Sequence, residues 1–83
     1  MRLTVRYFAS IREAVGQGAE PVETTAATLA ELRDQLIVRG GAYAQSLARG
    51  NAVRVALNQV MSDESALLSD NCEVAFFPPV TGG

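Results

Sequence analysis

An α+β fold, a mixed sheet of four or five strands crossed on one face by one principal helix, is predicted by three features of this sequence. An alternation of period two opens the chain, with Leu3, Val5 and Tyr7 on one side of residues 2–8 and Arg2, Thr4, Arg6 and Phe8 on the other, the pattern of a half-buried strand. A single well-capped helical pattern starts at Thr28. Two more strand-like segments follow, residues 53–57 and 72–77, and Pro78-Pro79 closes the last one abruptly.

The elements follow in order. Ile11, Ala14 and Val15 have helical spacing after Ser10 and are stopped by Gly16-Gln17-Gly18, which predicts a short helical segment over residues 9–15 and a tight bend. A second strand is expected around residues 20–24; Pro21 has no N–H to donate, so this strand belongs at a sheet edge. Thr28-Leu29-Ala30-Glu31 is a capping box, in which the threonine oxygen accepts from the amide at N3 and the glutamate reaches back to the amide of the cap. Leu29, Leu32 and Leu36 then share a face, while Glu31, Arg33, Asp34 and Gln35 are expected to turn mostly to water. Gly40-Gly41 supply a positive-φ stop. Tyr43 and Leu47, four apart before Gly50, predict a brief second helical segment that covers one end of the core. Asn58-Gln59 reads as a turn after residues 53–57, with a short return strand at Val60-Met61. Strand, strand, helix, strand, short strand, strand is the β-grasp (ubiquitin-like) arrangement. The chain thus divides into a β-grasp domain over residues 1–77 and an extended tail over residues 78–83.

Composition excludes several functions. A chain of 83 residues with 48% hydrophobic content makes one domain with a modest core, too small to enclose a deep active site, so a partner is expected. Seven arginines against nine acidic residues leave a net charge of -2 with no basic run, which argues against nucleic acid and anionic membrane surfaces as partners. The apolar runs fall far short of the roughly 20 residues of a bilayer span, and the N-terminus reads as a strand and not as a signal peptide, so the cytoplasm is the expected location. Histidine is absent and Cys72 is the sole cysteine, so no Cys/His metal cluster and no histidine-assisted nucleophile is expected. Cys72 shares parity with Val74 and Phe76 and is read as a core residue. Lysine is also absent, which removes Schiff-base chemistry and any side-chain amine that accepts an isopeptide bond.

The chemistry concentrates in the tail. Pro78-Pro79 fix two φ angles and remove two donors, so the chain leaves the sheet extended and stiff. Val80 and Thr81 keep it extended, and Gly82-Gly83 carry no β-carbon, so this end can thread a narrow channel into another protein's active site. The unhindered carboxylate of Gly83 is open to adenylation by an ATP-dependent partner, after which a sulfur or amine nucleophile can displace AMP.

Strand parity separates Phe76 from Phe77. With Val74 and Phe76 under the helix beside Leu3, Val5, Tyr7, Val53, Val55 and Leu57, the outer face carries Phe8, Phe77, Ala56, Ala75, Arg6 and Arg54. Met61 extends it from the neighbouring strand. An apolar centre with an arginine rim has the composition of a partner-binding surface. Arg12, on the short helix, is a further candidate for pairing with an acidic group on a partner.

The segment Phe76-Phe77-Pro78-Pro79-Val80-Thr81-Gly82-Gly83 resembles the C-terminal signature of the molybdopterin synthase small-subunit family. Tyr7-Phe8-Ala9 followed by Ile11-Arg12-Glu13, the run Val55-Ala56-Leu57-Asn58-Gln59, and Glu73-Val74-Ala75 extend the resemblance over nearly the whole chain. The resemblance implies a sulfur carrier with no bound cofactor. An adenylating enzyme related to the ubiquitin activators would use ATP to form a glycyl adenylate at Gly83, and a sulfur donor protein would convert it to a thiocarboxylate (1-thioglycine). The molybdopterin synthase large subunit would then use that sulfur to build the dithiolene of molybdopterin from cyclic pyranopterin monophosphate. An assembly of two small and two large subunits is implied, with the catalytic groups on the large subunit. The sequence departs from the family at Asp70-Asn71-Cys72, where an Asp-Gly-Asp turn is usual; Asn71 tolerates positive φ and preserves the turn. A thiamine-pathway sulfur carrier, a ubiquitin-like protein modifier joined to target lysines through Gly83, and an interaction domain with an inert tail are the alternatives, and the Phe-Phe-Pro-Pro segment favours the molybdopterin reading over the thiamine-pathway one.

Overall fold

In the computed structural model, which describes residues 1–79, the alternation of the first strand becomes β1 (Arg2–Tyr7), with Leu3, Val5 and Tyr7 inward and Arg2, Thr4 and Arg6 outward. It is followed by α1 (Ala9–Val15), β2 (Ala19–Glu23), α2 (Leu29–Val38), α3 (Gly41–Leu47), β3 (Arg54–Leu57), β4 (Val60–Ser62) and β5 (Glu73–Phe77). The strands form one mixed sheet in the order β2-β1-β5-β3-β4. Only β1 and β5 run parallel, at the centre, with Tyr7 opposite Phe76; β2, β3 and β4 join antiparallel. This is the expected β-grasp. Pro21 sits on the outermost strand β2, opposite Thr4, where its missing N–H breaks no ladder. Of the expected tail, Pro78 and Pro79 follow β5 directly, while Val80, Thr81, Gly82 and Gly83 lie outside the described residues. No helix among the described residues is long and apolar enough to cross a membrane.

Turn chemistry agrees with the sequence. Asn58 and Gln59 both have positive φ, 50° and 68°, as a two-residue hairpin of the primed kind requires. Asn71 has φ 65°; its N–H donates to Arg2 O at 2.7 Å, and Asp70 Oδ1 accepts from Arg2 N at 2.9 Å. The loop before β5 is thereby tied to the start of β1. Gly16, with φ 88°, closes α1 by donating to Arg12 O at 2.9 Å.

At the start of α2, Thr28 Oγ1 accepts from Glu31 N at 3.2 Å as the capping box predicts. The return half differs: Glu31 Oε1 accepts from Ala27 N at 2.9 Å and not from the amide of Thr28, while the bridge between Thr28 and Leu67 is made by Leu68 N donating to Ala27 O and Leu29 N donating to Ala66 O. Leu29, Leu32 and Leu36 are buried against the sheet. Arg33 corrects the expectation that it faces water, since it is only 3% exposed. Its guanidinium donates to Leu47 O and Ala48 O, each at 2.7 Å, to Asn51 O at 3.1 Å, and to Glu64 Oε2 at 2.9 Å. The end of α3 and the loop after it place carbonyls there that need donors, and Arg33 supplies them. Cys72 is buried in the core, as its parity requires.

Tyr43 and Leu47 of α3 cover one end of the core. Tyr7 and Tyr43 hydroxyls both donate to Glu20 Oε2, at 2.7 and 2.8 Å, and Arg39 Nη1 donates to Oε1 at 3.0 Å. Burial alone pushes the Glu20 carboxyl up, but the hydrogen bonds from Tyr7, Tyr43 and Arg39 outweigh it and hold the group below the usual carboxylate range. Burial, then the bond to Glu20, pushes the Tyr7 hydroxyl up, so it stays a donor. A carboxyl depressed in the folded state stabilises above its unfolded value of about 4.3, and that stabilisation is lost as pH falls through the folded value. Glu20→Gln is therefore expected to lower stability at neutral pH by about 1–3 kcal/mol and to flatten the acid limb of a urea-midpoint-versus-pH curve. An acid limb as steep as that of the parent would exclude Glu20 as its source.

Candidate functional site

The outer face of the sheet brings the expected residues together at the end where β5 runs out. Phe8 leaves β1 with its N–H donating to Phe76 O at 3.2 Å, which sets its ring beside that of Phe77. The two rings stack with centroids 4.6 Å apart and planes within 11°. Phe76, of opposite parity, is buried and stacks on Tyr7 in the core. Arg54 lies opposite Phe77 in the β3–β5 register, and Met61 opposite Ala56. The Arg6 guanidinium carbon is 5.5 Å from the Phe8 ring centroid, and Arg6 also pairs with Glu73 at 3.8 Å. Phe8, Ala9, Arg54, Met61, Phe77, Pro78 and Pro79 together line an open groove of about 540 Å³. Met61 is 52% exposed at its edge.

Two alanines depart from the expected exposed centre. Ala56 and Ala75 are on the outer face but only 3% and 4% exposed. They face one another across β3 and β5 in a row flanked by Arg6 on β1 and Met61 on β4, and a single methyl between long side chains sinks below them. The accessible apolar surface is made by Phe8, Phe77 and Met61.

Ala9 was not singled out by periodicity. It has φ 51°, a left-handed conformation that costs an alanine about 1 kcal/mol, and the turn it makes from β1 into α1 puts its methyl in the groove wall. Its only signal in the sequence is the switch from period two to helical spacing after Phe8. Arg12 does not line the groove; it is exposed, with its guanidinium against Gly18, where a Cβ would come within 3.3 Å of Nε. Pro78 and Pro79 are also shared with a second groove of about 410 Å³, bordered by Ser10, Ser46 and Asn51, so the chain leaves the sheet as a ridge between two hollows. Among the described residues no group of three or more His, Cys, Asp or Glu side chains is arranged to hold a metal. The arrangement suits recognition by another protein.

Sheet order, helix placement and the proline-led exit from β5 define a ubiquitin-like β-grasp protein. The chain belongs to the ThiS family, whose model matches residues 5–83. It is 38% identical over 81 residues to the molybdopterin synthase sulfur carrier subunit of Haemophilus influenzae, covering 98% of this chain and 99% of that one. The protein of the same name from Escherichia coli gives the same identity over 81 residues, with 98% and 99% covered. Among solved structures, a chain of the protein–protein complex of subunits 1 and 2 of molybdopterin-converting factor from Helicobacter pylori is similar with a TM-score of 0.70 at 27% identity, covering 100% of both chains.

Proposed function

We propose that this chain is the sulfur carrier and small subunit of a molybdopterin synthase, with Gly83 as the atom-bearing site. The observation that supports this most strongly is that the family match runs through the tail to residue 83, while relatives of that name align over 98% of the chain. In this reading the Gly83 carboxylate attacks the α-phosphorus of ATP in an adenylating enzyme and pyrophosphate leaves. A donor protein then delivers sulfur at the sulfide level (HS⁻), which attacks the carbonyl carbon; the bond to AMP breaks, AMP and a proton leave, and a thiocarboxylate remains. The large subunit accepts the tail, Pro78, Pro79, Val80, Thr81 and Gly82 spanning its channel, and uses the sulfur for the dithiolene. Two sulfurs are needed per dithiolene and each carrier brings one, so two charged carriers are consumed per product; the assembly in this reading holds two small and two large subunits. The chain supplies no catalytic side chain and holds no resident cofactor. Phe8, Phe77 and Met61, with Arg6 and Arg54 at the rim, form the docking face, and Arg12 is a secondary contact. The cytoplasm supplies the ATP this chemistry needs.

The test is the intact mass of the untagged protein after expression with its adenylating enzyme and sulfur donor. Replacing one terminal oxygen by sulfur is expected to add about 16 mass units. An unchanged mass, or full activity with an extra residue placed after Gly83, would overturn the carrier reading. Dithiolene formation on cyclic pyranopterin monophosphate with the large subunit separates this role from a thiamine-pathway carrier and from a protein modifier.

A further inference from the structure

Five of the seven arginines are neutralised within the molecule: Arg2 by Glu23, Arg6 by Glu73, Arg33 by Glu64, Arg39 by Glu20, and Arg49 by Asp34 and Glu64. Among the described residues, Arg12 and Arg54 make no ion pair. Arg12 lies away from the docking groove, in a hollow it shares with Glu13. Arg54 stands on the docking groove with Phe77 as its cross-strand neighbour. The hollow on its other flank is bordered by Asp63 and Glu64, but both carboxylates are engaged. Asp63 accepts from the Ser65 N–H at 2.9 Å and from its hydroxyl, and Glu64 is held by Arg33 and Arg49. Among the described residues, Arg54 is thus the cation beside the accessible aromatic surface that makes no ion pair.

Covering Phe77 and Met61 strips water from Arg54 as well. A guanidinium desolvated without a carboxylate is strongly unfavourable, whereas a matched acid turns the same burial into a register and selection device. We infer that Arg54 is a specificity-determining residue that meets an acidic side chain beside the mouth of the tail-accepting channel in the large subunit. The inference rests on the carrier reading and adds the charge chemistry of the partner.

The full-length protein and its large subunit are compared in a titration at about 50 mM and about 500 mM salt, where exposed charges are weakly and strongly screened. Arg54→Glu is expected to weaken binding about 10- to 100-fold at low salt and by much less at high salt, and Arg54→Lys to retain most of it. Arg2→Gln, at the opposite end of β1, serves as the charge control and is expected to bind like the parent. Binding of Arg54→Glu within about twofold of the parent at low salt would overturn the inference while leaving the carrier reading intact. Failure of the parent itself to bind would overturn the carrier reading, and the inference with it.

Discussion

Arg33→Met is expected to destabilise the domain by about 3–5 kcal/mol, the scale for removing one partner of a buried charged network. Methionine keeps the apolar stem but deletes the donors to Leu47 O, Ala48 O and Asn51 O and the partner of Glu64. Leu47 O lies at the buried end of α3 and Ala48 O and Asn51 O are part-buried in the loop after it, and a buried acceptor left unpaired costs about 1–3 kcal/mol. Glu64 keeps Arg49, so most of the loss comes from the carbonyls. A domain of this size has a total stability of about 4–12 kcal/mol, so the variant approaches the unfolding threshold. Urea unfolding monitored by circular dichroism checks this: the midpoint should fall by about 2 M or more with little change in slope. A loss below about 1 kcal/mol would show that water replaces the guanidinium at these carbonyls.

Phe77→Asp is expected to weaken association with the large subunit by about 100-fold or more while the fold survives. Aromatic anchors at the centre of an interface contribute about 2–4 kcal/mol each, and a carboxylate in their place adds a desolvation penalty. Phe77 ends β5 and is only partly buried in the isolated chain, so the core beneath it, led by Phe76 at 0% exposure, stays intact. Titration calorimetry with the large subunit, alongside thermal melts, separates binding from folding. Because Phe8 and Phe77 stack at 4.6 Å, the losses from Phe8→Ala and Phe77→Ala are expected not to add in the double variant. Undiminished binding by Phe77→Asp would remove the outer sheet face from the docking reading.

How much was legible in the sequence depended on whether the signal was local. Alternation assigned Leu3, Val5 and Tyr7 to the core and Phe8 and Phe77 to the outer face, since a strand has only two faces. Pro21 named an edge strand, Thr28 a helix start, and Asn58, Gln59 and Asn71 turns, each through its own backbone chemistry. Helical position alone turns Arg33 to solvent, because it says nothing of carbonyls 14 to 18 residues away. Parity places Ala56 and Ala75 on the outer face but does not give the height of the neighbours that cover them.

Much of this protein is already written locally: the β-grasp order, the lack of histidine and single cysteine among these 83 residues, and the residue chemistry of the segment from Pro78 to Gly83. All of these follow from period, residue type and covalent order, which need no long-range contact. Packing is what stacks Phe8 on Phe77, turns Ala9 into the groove wall and, among the described residues, pairs Arg6 on the outer face while leaving Arg54 without an ion pair. Those outcomes depend on which strands become neighbours and which carboxylates they bring within about 4 Å, a distance set by the packed sheet and not by spacing along the chain.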